Sequence, residues 1–442
     1  MISRARTLLA GATIGAAFAG TPVLSALDPD AEQYWPQWRG PHASGTAPLA
    51  DPPLRWSETT NIRWKVEIPG RGSSSPVVWG DRLFVQTAIP ASAPAGTASH
   101  APRGAGPREP HRFVLYAFDR TTGRVAWERT AREQQPHEAS HQDNGTWASS
   151  SPVTDGEHVI AYFESFGLYA YTMDGTLVWQ KDFGDKQMRN EFGEGSTPAL
   201  HGDRLVVVWD HQGESFVAAF DKRTGTEVWR QRRDEIDSWA TPIVVEHAGR
   251  AQVVTSGMNR LRSYDLETGA LVWESQGVTM NPIPSPVAAD GMVFVTSGFR
   301  GNNLKAIRLA NAVGDITGTS SLAWELRRDT PYVPSPLLYD GVLYLLKTNT
   351  AVLSAFDART GTPHFALQRL DGLDEVFSSP VGAGGRVYVT DRHGTTLVIR
   401  QGPKYEVLAT NTLDDGFDAS PAIAGNEIFM RGYTYLYAIA GQ

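Results

Sequence analysis

The residues most able to do chemistry lie in short stretches where acids, amides and aromatic side chains cluster. Carboxylates and amides beside aromatic rings suit a divalent cation, a cationic group or a sugar better than a phosphate. The alternative is an acidic, solvated rim without a specific ligand. The candidate ligand-binding residues are His141, Asp143, Asn144, Trp147, Glu191, Glu194, Asp237, Trp239, Asn281, Tyr332, Asp374, Glu375, Asp415 and Asp418. These residues do not by themselves assign a catalytic group or a metal ligand.

One segment has the spacing of a zinc-protease motif, in which two histidines one helical turn apart share a metal and a glutamate acts as base. It reads His137-Glu138-Ala139-Ser140-His141, but Pro136 precedes it and a Gln-Asp-Asn-Gly run follows. A helix is therefore not predicted. In extended chain the two imidazoles lie more than about 12 Å apart, too far for one ion. We expect no metalloprotease, and metal binding by one histidine with rim carboxylates stays open.

Other enzyme signatures are missing from the sequence. No glycine-rich phosphate loop follows a predicted strand, and no Gly-x-Ser-x-Gly nucleophile elbow occurs. The pair Asp414-Asp415 could act on a glycoside or could simply form a solvated turn.

The candidate residues precede a repeated anchor, in which Ser or Thr is followed by Pro and a small or aliphatic residue. Six of the seven intervals between consecutive anchor prolines are 41 to 50 residues long, and the seventh contains an insertion at 88–112 that is rich in Ala, Pro, Gly and Ser. Four short strands with their turns need about that many residues. The anchors begin at Ser75, Ser151, Thr197, Thr241, Ser285, Ser335, Ser379 and Ser420.

Each repeat has the same internal order of four runs. A turn with Gly, Asp or Asn separates the first two runs, which indicates a hairpin. The third run ends in Asp, and a Thr-Gly pair such as Thr122-Gly123 supplies a left-handed turn position. The fourth run carries a tryptophan in most copies, with Phe365 and Leu408 expected in the two weaker ones. We expect these aromatics to pack between blades: Trp64, Trp127, Trp179, Trp229, Trp273 and Trp324.

Four antiparallel strands per repeat predict an all-β fold, an eight-bladed β-propeller. The last repeat lacks its fourth run, whereas an unpaired run at 62–67 precedes the first anchor. An N-terminal strand that completes the last blade would remove both free edges. The small anchor residues are expected where the innermost strands converge on a narrow axis. The connections between blades then bring the candidate residues together around one mouth of the central channel.

Composition excludes several classes of partner. Forty Lys and Arg against 48 Asp and Glu give a net charge of −8, so the chain is a poor binder of nucleic acid. No cysteine is present, which excludes disulfides, thiolate metal sites and lipidation of an N-terminal cysteine.

The N-terminus has the features of a secretory signal peptide, because Arg4 and Arg6 precede an apolar run at 8–24. Cleavage could follow Ala19 or Ala26, and an uncleaved anchor is the alternative. We expect a signal peptide at 1–26, an N-terminal arm at 27–61 and a propeller at 62–442. The mature protein is expected to be periplasmic or secreted, monomeric and without a transmembrane domain.

The run from Ala117 to Trp127, Ala-Phe-Asp-x-x-Thr-Gly-x-x-x-Trp, resembles the repeat of the pyrroloquinoline-quinone (PQQ)-like eight-bladed propellers. This family includes quinoprotein alcohol dehydrogenases and the BamB-type lipoproteins of outer-membrane barrel assembly. The opening at 35–41, Trp-Pro-Gln-Trp-Arg-Gly-Pro, is similar to the start of many secreted PQQ-like repeat proteins. The resemblance covers about residues 62 to 442.

The resemblance implies two functions of different kinds. The first is a non-catalytic scaffold that binds a ligand or a protein at the channel mouth, and this is the function we favour from the sequence. The second is a PQQ- and Ca²⁺-dependent dehydrogenase acting on alcohols or sugars. Against the second, the vicinal cysteine pair common in these dehydrogenases is absent, and no segment matches the contexts of their Ca²⁺ ligands or catalytic aspartate.

Overall fold

The computed structural model describes residues 29–93 and 108–441, and within these it is an eight-bladed β-propeller of four-stranded antiparallel sheets. Blade 1 contains Val77–Trp79, Arg82–Pro90, His111–Asp119 and Val125–Gln134. Blade 2 contains Val153–Thr154, His158–Tyr162, Leu168–Thr172 and Leu177–Lys181. Blade 3 contains Ala199–His201, Arg204–Trp209, Phe216–Asp221 and Glu227–Arg232. Blade 4 contains Ile243–His247, Arg250–Thr255, Arg260–Asp265 and Leu271–Gln276.

The second half of the ring follows the same order. Blade 5 contains Val287–Ala289, Met292–Ser297, Asn303–Arg308 and Leu322–Leu326. Blade 6 contains Leu337–Tyr339, Val342–Leu346, Val352–Asp357 and Pro363–Arg369. Blade 7 contains Val381–Ala383, Arg386–Thr390, Thr395–Arg400 and Val407–Thr412. Blade 8 contains Ala422–Ala424, Glu427–Arg431, Tyr435–Ala440 and, from the N-terminal side, Ile62–Glu67. The predicted fold class is confirmed.

A few short elements lie outside this plan. Thr46–Ala47 adds a parallel strand to the inner edge of blade 7, and Gly314–Asp315 adds one to the outer edge of blade 4. The 3-10 helices are Pro29–Gln33, Glu164–Phe166, Arg189–Glu191 and Leu309–Asn311. No described helix is long and apolar enough to cross a membrane.

Two predicted segments lie wholly or mostly outside the described residues. The signal peptide at 1–26 lies outside the described residues, and so does most of the insertion predicted at 88–112. The ends of that insertion are strand, because Ala88, Ile89 and Pro90 pair with Phe113, Arg112 and His111. The hairpin of blade 1 therefore extends further than the sequence indicated.

The N-terminal strand closes the ring as predicted. Ile62–Glu67 pairs antiparallel with Tyr435–Ala440, and Trp64 lies opposite Ala438. The Glu427 carboxylate of blade 8 accepts a hydrogen bond from Arg120 Nε of blade 1 at 2.5 Å and another from Arg63. The junction between blades 8 and 1 thus carries charge-assisted bonds in addition to strand pairing.

The tryptophans of the fourth strands lie between adjacent blades. In five of them the indole N–H donates to a backbone carbonyl of the next blade at 2.8–3.0 Å; these are Trp64, Trp127, Trp179, Trp229 and Trp324. The glycine of the next blade's turn lies under each ring. At Gly123, for example, φ is 70° and an added Cβ would come within 2.7 Å of the Trp64 ring. Glycine is therefore required there both by conformation and by packing.

The junction of blades 4 and 5 and the fourth strand of blade 7 depart from this arrangement. The fully buried Trp273 lies beside the longer turn of blade 5, and its residue partner across that edge is Gly314. In blade 7 the residue paired with Val398, at the tryptophan position, is Ala409, so the expectation of Leu408 was wrong by one residue. The arm supplies Trp56 to the same buried cluster, where it stacks on Tyr388 at 6.2 Å.

A closed ring of hydrogen bonds joins the eight anchors at the propeller axis. The backbone N–H of each anchor Ser or Thr donates to the hydroxyl of the next anchor at 2.8–3.2 Å, and Ser420 returns to Ser75. The following proline needs no partner because it has no N–H. The anchors therefore need a hydroxyl acceptor as well as a small side chain, which explains why they are Ser or Thr and never Ala or Gly.

Candidate functional site

A cavity lies on the propeller axis, between the ring of anchor residues and the connections that join one blade to the next. Its volume is about 440 Å³, within the range of roughly 300–1,000 Å³ usual for small-molecule sites. Seven of the predicted site residues line it: His141, Asn144, Glu194, Trp239, Asn281, Tyr332 and Asp418. The convergence predicted from the blade connections thus applies to half of the candidate set.

The floor of the cavity comes from the N-terminal arm, which the sequence prediction left without a role. Trp38 lines both the cavity and a groove on the opposite face, so its side chain separates the two. The indole Nε1 donates to the Ser285 hydroxyl of the anchor ring at 3.1 Å. A channel that would otherwise run through the ring is therefore closed at this end.

Arg39 holds the arm in this position. Its guanidinium is buried and donates to the carbonyls of Pro380 and Pro336, each at 2.6 Å, so one side chain joins blades 6 and 7. Burial lowers the pKa of Arg39 to about 9. Carbonyl dipoles are the only acceptors it uses among the described residues, which makes Arg39 a structural contact rather than an anion-binding group.

Glu194 is the carboxyl group on one side of the cavity. Its Oε2 accepts a hydrogen bond from the Ser165 amide at 3.0 Å, and His137 Nε2 lies 3.9 Å from Oε1. Behind it, Glu164 and Lys186 form a buried ion pair. Burial, followed by the charge of Glu164, raises the pKa of Glu194 to about 8. At neutral pH this carboxyl is therefore mostly protonated.

Asp418, on the other side, is neutralised by a residue that sequence reasoning missed. Arg392 Nε lies 2.7 Å from Asp418 Oδ1, and its terminal nitrogen donates to Oδ2 at 2.8 Å. The same guanidinium lies over the Phe377 ring at 3.9 Å. It also donates to the backbone carbonyl of Asp143 at 3.2 Å, across 249 residues of sequence. Arg392 thereby holds the connection between blades 1 and 2 over the cavity mouth.

Aromatic rings form much of the remaining wall. Phe299 and Tyr332 stack at 4.9 Å, and Trp239 is fixed by its indole N–H, which donates to the Gly193 carbonyl at 2.8 Å. Burial raises the pKa of Tyr332, and a hydrogen bond with the Asn281 side chain opposes that shift. Asn281 is only 1% exposed, and its Oδ1 accepts no hydrogen bond from the described residues.

The zinc-protease spacing at 137–141 does not form a helix. A ring nitrogen of His137 bonds the Lys186 carbonyl at 2.7 Å, and Glu138 accepts from the Met188 amide at 3.0 Å. His141 Nδ1 accepts from the Asp143 amide at 3.3 Å. Each of the three side chains thus has a backbone partner of its own, and the segment is not the helix that the motif needs.

The group of three potential metal ligands found among residues 29–93 and 108–441 lies elsewhere, at Asp155, Glu157 and His158. Lys222 Nζ lies 2.6 Å from Asp155 Oδ2 and occupies the place of a cation. Asp155 Oδ1 accepts the amides of Glu157 and His158, at 3.0 and 2.8 Å. This arrangement is a turn stabilised by its own backbone, and it offers no cavity ligand.

The other seven predicted residues do not line the cavity. Four of them, Asp143, Glu191, Asp374 and Glu375, are exposed on the connections around the mouth. Glu191 accepts the Ala139 amide at 3.0 Å, and Glu375 accepts a hydrogen bond from Arg392 at 3.4 Å. Trp147 is buried with its ring edge against His111 at 4.7 Å. These side chains shape the connections, and the cavity residues lie behind them.

The remaining two, Asp237 and Asp415, are structural acids. Asp237 is fully buried and accepts from Arg189 Nε at 2.7 Å. Burial raises its pKa, and the charge of Arg189 opposes the shift. Asp415 accepts the backbone amides of Gly416 and Tyr435 at 2.8 and 2.9 Å, so it caps a turn. Sequence alone cannot distinguish such acids from rim ligands, because the difference is one of side-chain direction.

A family model matches the sequence along nearly the whole propeller. Residues 55–216 and 213–440 match the family model described as outer membrane protein assembly factor BamB. The chain belongs to this family. A search of curated proteins found no significant match.

Solved structures share the BamB-type propeller at low sequence identity. BamB from Moraxella catarrhalis is 13% identical, with a TM-score of 0.58 over 85% of this chain and 96% of that one. The quinohemoprotein alcohol dehydrogenase of Comamonas testosteroni is 10% identical, with a TM-score of 0.65 over 94% and 82%. A europium-containing methanol dehydrogenase is 10% identical, with a TM-score of 0.62 over 90% and 89%. At these identities the likeness concerns the fold alone.

PQQ and Ca²⁺, which the resemblance implied, do not fit the chemistry of the cavity wall. PQQ is a tricarboxylate, and the described residues that line the cavity include no lysine or arginine to neutralise it. A calcium ion takes six to eight oxygen ligands, among them carboxylates that compensate its charge. Of the two lining carboxyl groups, Glu194 is mostly protonated at neutral pH and Asp418 is paired with Arg392.

Proposed function

We propose that this protein is a periplasmic or secreted, non-catalytic propeller that binds a small ligand in its central cavity. The observation that carries the proposal is the cavity of about 440 Å³, which Trp38 separates from the groove on the opposite face. A pocket with fixed aromatic walls and a few polar groups is the usual form of a small-molecule site. Membership of the BamB family and the predicted signal peptide support the location in the cell envelope.

The state of the polar groups favours binding over catalysis. General acid–base catalysis needs a group that can exchange a proton with the substrate near the working pH. Asp418 is paired with Arg392, and Glu194 accepts a hydrogen bond from the Ser165 amide and lies in front of the Glu164–Lys186 ion pair. Glu194 has a pKa near the working range, but no hydrogen bond joins it to a histidine among the described residues, since the nearest, His137 Nε2, lies 3.9 Å from its Oε1.

Native mass spectrometry of protein purified from its own compartment tests this proposal. A filled-cavity variant, Gly195→Leu, is the matched negative, because an added Cβ at Gly195 would lie 3.5 Å from Trp239, at ordinary contact distance. The control is Gly441→Leu, where an added Cβ meets nothing within 4 Å. We expect a co-purifying mass in the wild type and in Gly441→Leu that is lost in Gly195→Leu.

Two results would contradict the proposal. The first is a bare wild-type mass together with no thermal shift against a library of metabolites. The second is a bound mass that survives in Gly195→Leu, which would locate the ligand outside the cavity. A PQQ mass in the wild type would favour the dehydrogenase instead.

A further inference from the structure

The charge of the cavity wall limits which ligands it can hold. Glu194 and Asp418 are the carboxyl groups in the described lining, and no lysine or arginine accompanies them. Arg392 compensates Asp418 at 2.7 Å, and burial keeps Glu194 mostly protonated at neutral pH by raising its pKa to about 8. An ionic ligand would lose its hydration without gaining an unpaired countercharge. The wall therefore favours a ligand without net charge.

Hydrogen-bonding capacity adds a second condition. Asn281 is nine-tenths buried or more, lines the cavity, and has an Oδ1 without a partner among the described residues. The Oδ1 of Asn144, which also lines the cavity, is likewise buried and has no hydrogen-bond partner among the described residues. A buried acceptor without a donor costs about 1–3 kcal/mol. A ligand that brings hydroxyl donors to these amides would remove that cost.

The aromatic walls supply the third condition. Trp38 closes the floor, Trp239 is held by its bond to Gly193, and Phe299 is stacked on Tyr332. Rings fixed in this way offer flat apolar faces without losing side-chain entropy on binding. A matching ligand needs an apolar face as well as hydroxyl groups. The cavity volume of about 440 Å³ has room for roughly one or two six-membered rings of this kind.

We propose that the central cavity binds a neutral carbohydrate of one or two rings, with its C–H face against Trp239 and its hydroxyls bonded to Asn281 and Asn144. This inference rests on the proposed function, because it names the ligand class of the same cavity. Binding of an organic cation to the aromatic walls is the competing outcome, and the charge of the probe distinguishes the two.

Titration calorimetry with the mature full-length protein at pH 7 tests the proposal. The neutral probes are glucose, N-acetylglucosamine, maltose and cellobiose, and the charged probes are glucosamine, glucuronate and choline. We expect at least one neutral probe to bind, and glucosamine and glucuronate to bind about tenfold or more weakly than that probe. Gly195→Leu should abolish binding, whereas Gly441→Leu should retain it.

Two substitutions give a readout that loss of folding would not imitate. Trp239→Leu should weaken binding of the neutral probe about tenfold or more, with Trp239→Phe intermediate. Asn144→Asp places a carboxylate at the less buried of the two amide positions and should reverse the preference, so that glucosamine binds more tightly than glucose. A gain of one ligand with the loss of another cannot come from misfolding.

The inference is overturned if no neutral probe binds at millimolar concentration, or if choline, glucosamine or glucuronate binds the wild type more tightly than the neutral sugars. Sugar binding that persists in Gly195→Leu would equally overturn it. A co-purifying mass that is not a carbohydrate, lost in Gly195→Leu, would leave the proposed function standing and refute only the ligand class.

Discussion

Ser151→Ala should break one bond of the anchor ring and leave its donor without a partner. The Ser151 hydroxyl accepts the Ser75 amide at 2.9 Å, and both residues are 1% exposed. Water cannot replace the lost acceptor at such a depth. The substitution removes one oxygen atom and leaves the proline at the next position unchanged, so the effect reports the hydrogen bond with little other disturbance.

The expected loss follows from the cost of an unsatisfied buried amide, about 1–3 kcal/mol. Unfolding entropies of about 2.1 cal/mol/K per residue imply roughly 0.9 kcal/mol/K for a chain of this length, so the melting temperature should fall by roughly 1–3 °C. Urea titration measures this loss directly, because the change in the free energy of unfolding equals the shift of the midpoint multiplied by the slope of the transition.

Ser151→Thr is the matched control. Threonine already serves as acceptor at the next two anchors, where Thr197 accepts the Ser151 amide and Thr241 accepts the Thr197 amide, both at 3.0 Å. The threonine variant should therefore lie near the wild type. A Ser151→Ala variant as stable as the wild type would show that the hydrogen bonds of the anchor ring do not stabilise the propeller. Equal losses in both variants would attribute the effect to packing.

Three further substitutions test other features. Trp64→Ala should cost about 3–5 kcal/mol at the closing blade and reduce soluble yield, and an unchanged urea midpoint would argue against closure by Ile62–Glu67. Glu194 keeps its proton in the folded state up to about pH 8 but loses it near 4.5 when unfolded, so wild-type stability should fall by up to about 1.4 kcal/mol per pH unit between those values. Glu194→Gln cannot ionise, so the stability of the variant relative to the wild type should increase as the pH rises across that interval. Glu164, Lys186 and His137 are present in both proteins and do not change this difference. A stability difference independent of pH would contradict the raised pKa. Arg392→Gln should cost about 3–5 kcal/mol by leaving Asp418 uncompensated, and should speed hydrogen exchange of the amides at 141–145; unchanged exchange there would show that Arg392 does not hold this connection.

The fold could be predicted from sequence because its determinants are local and repeated eight times. The anchor, the Asp-x-x-Thr-Gly turn and the tryptophan recur in phase, so each copy supports the assignment of the others. The error at Leu408 shows where this support ends. A bulge next to the tryptophan position shifts the register by one residue, and blade 7 has no tryptophan to mark it. Trp56, which enters the same cluster, comes from outside the repeat.

The site was harder to predict because its geometry depends on contacts between distant segments. Blade order places every connection at the mouth, which is why seven candidates line the cavity. Side-chain direction then separates Asn281, which faces the cavity, from Asp415, which caps a turn. Arg392 and Trp38 were missed because neither lies in the segment just before an anchor. The cluster of two tryptophans and an arginine at 35–39, outside any repeat, was the one available signal for the floor.

The path of the N-terminal arm sets an order of events during folding. Arg39 binds carbonyls 297 and 341 residues further along the chain, and the closing strand pairs with the last strand of the protein. The segments synthesised first can therefore form these contacts only after the last segments have been synthesised. Contacts of such high sequence separation form slowly. For a chain exported N-terminus first, as the predicted leader implies, the arm and two unpaired blade edges stay exposed until the final repeat has emerged. This chain should accordingly depend on envelope chaperones during export more than a propeller whose closing strand is C-terminal.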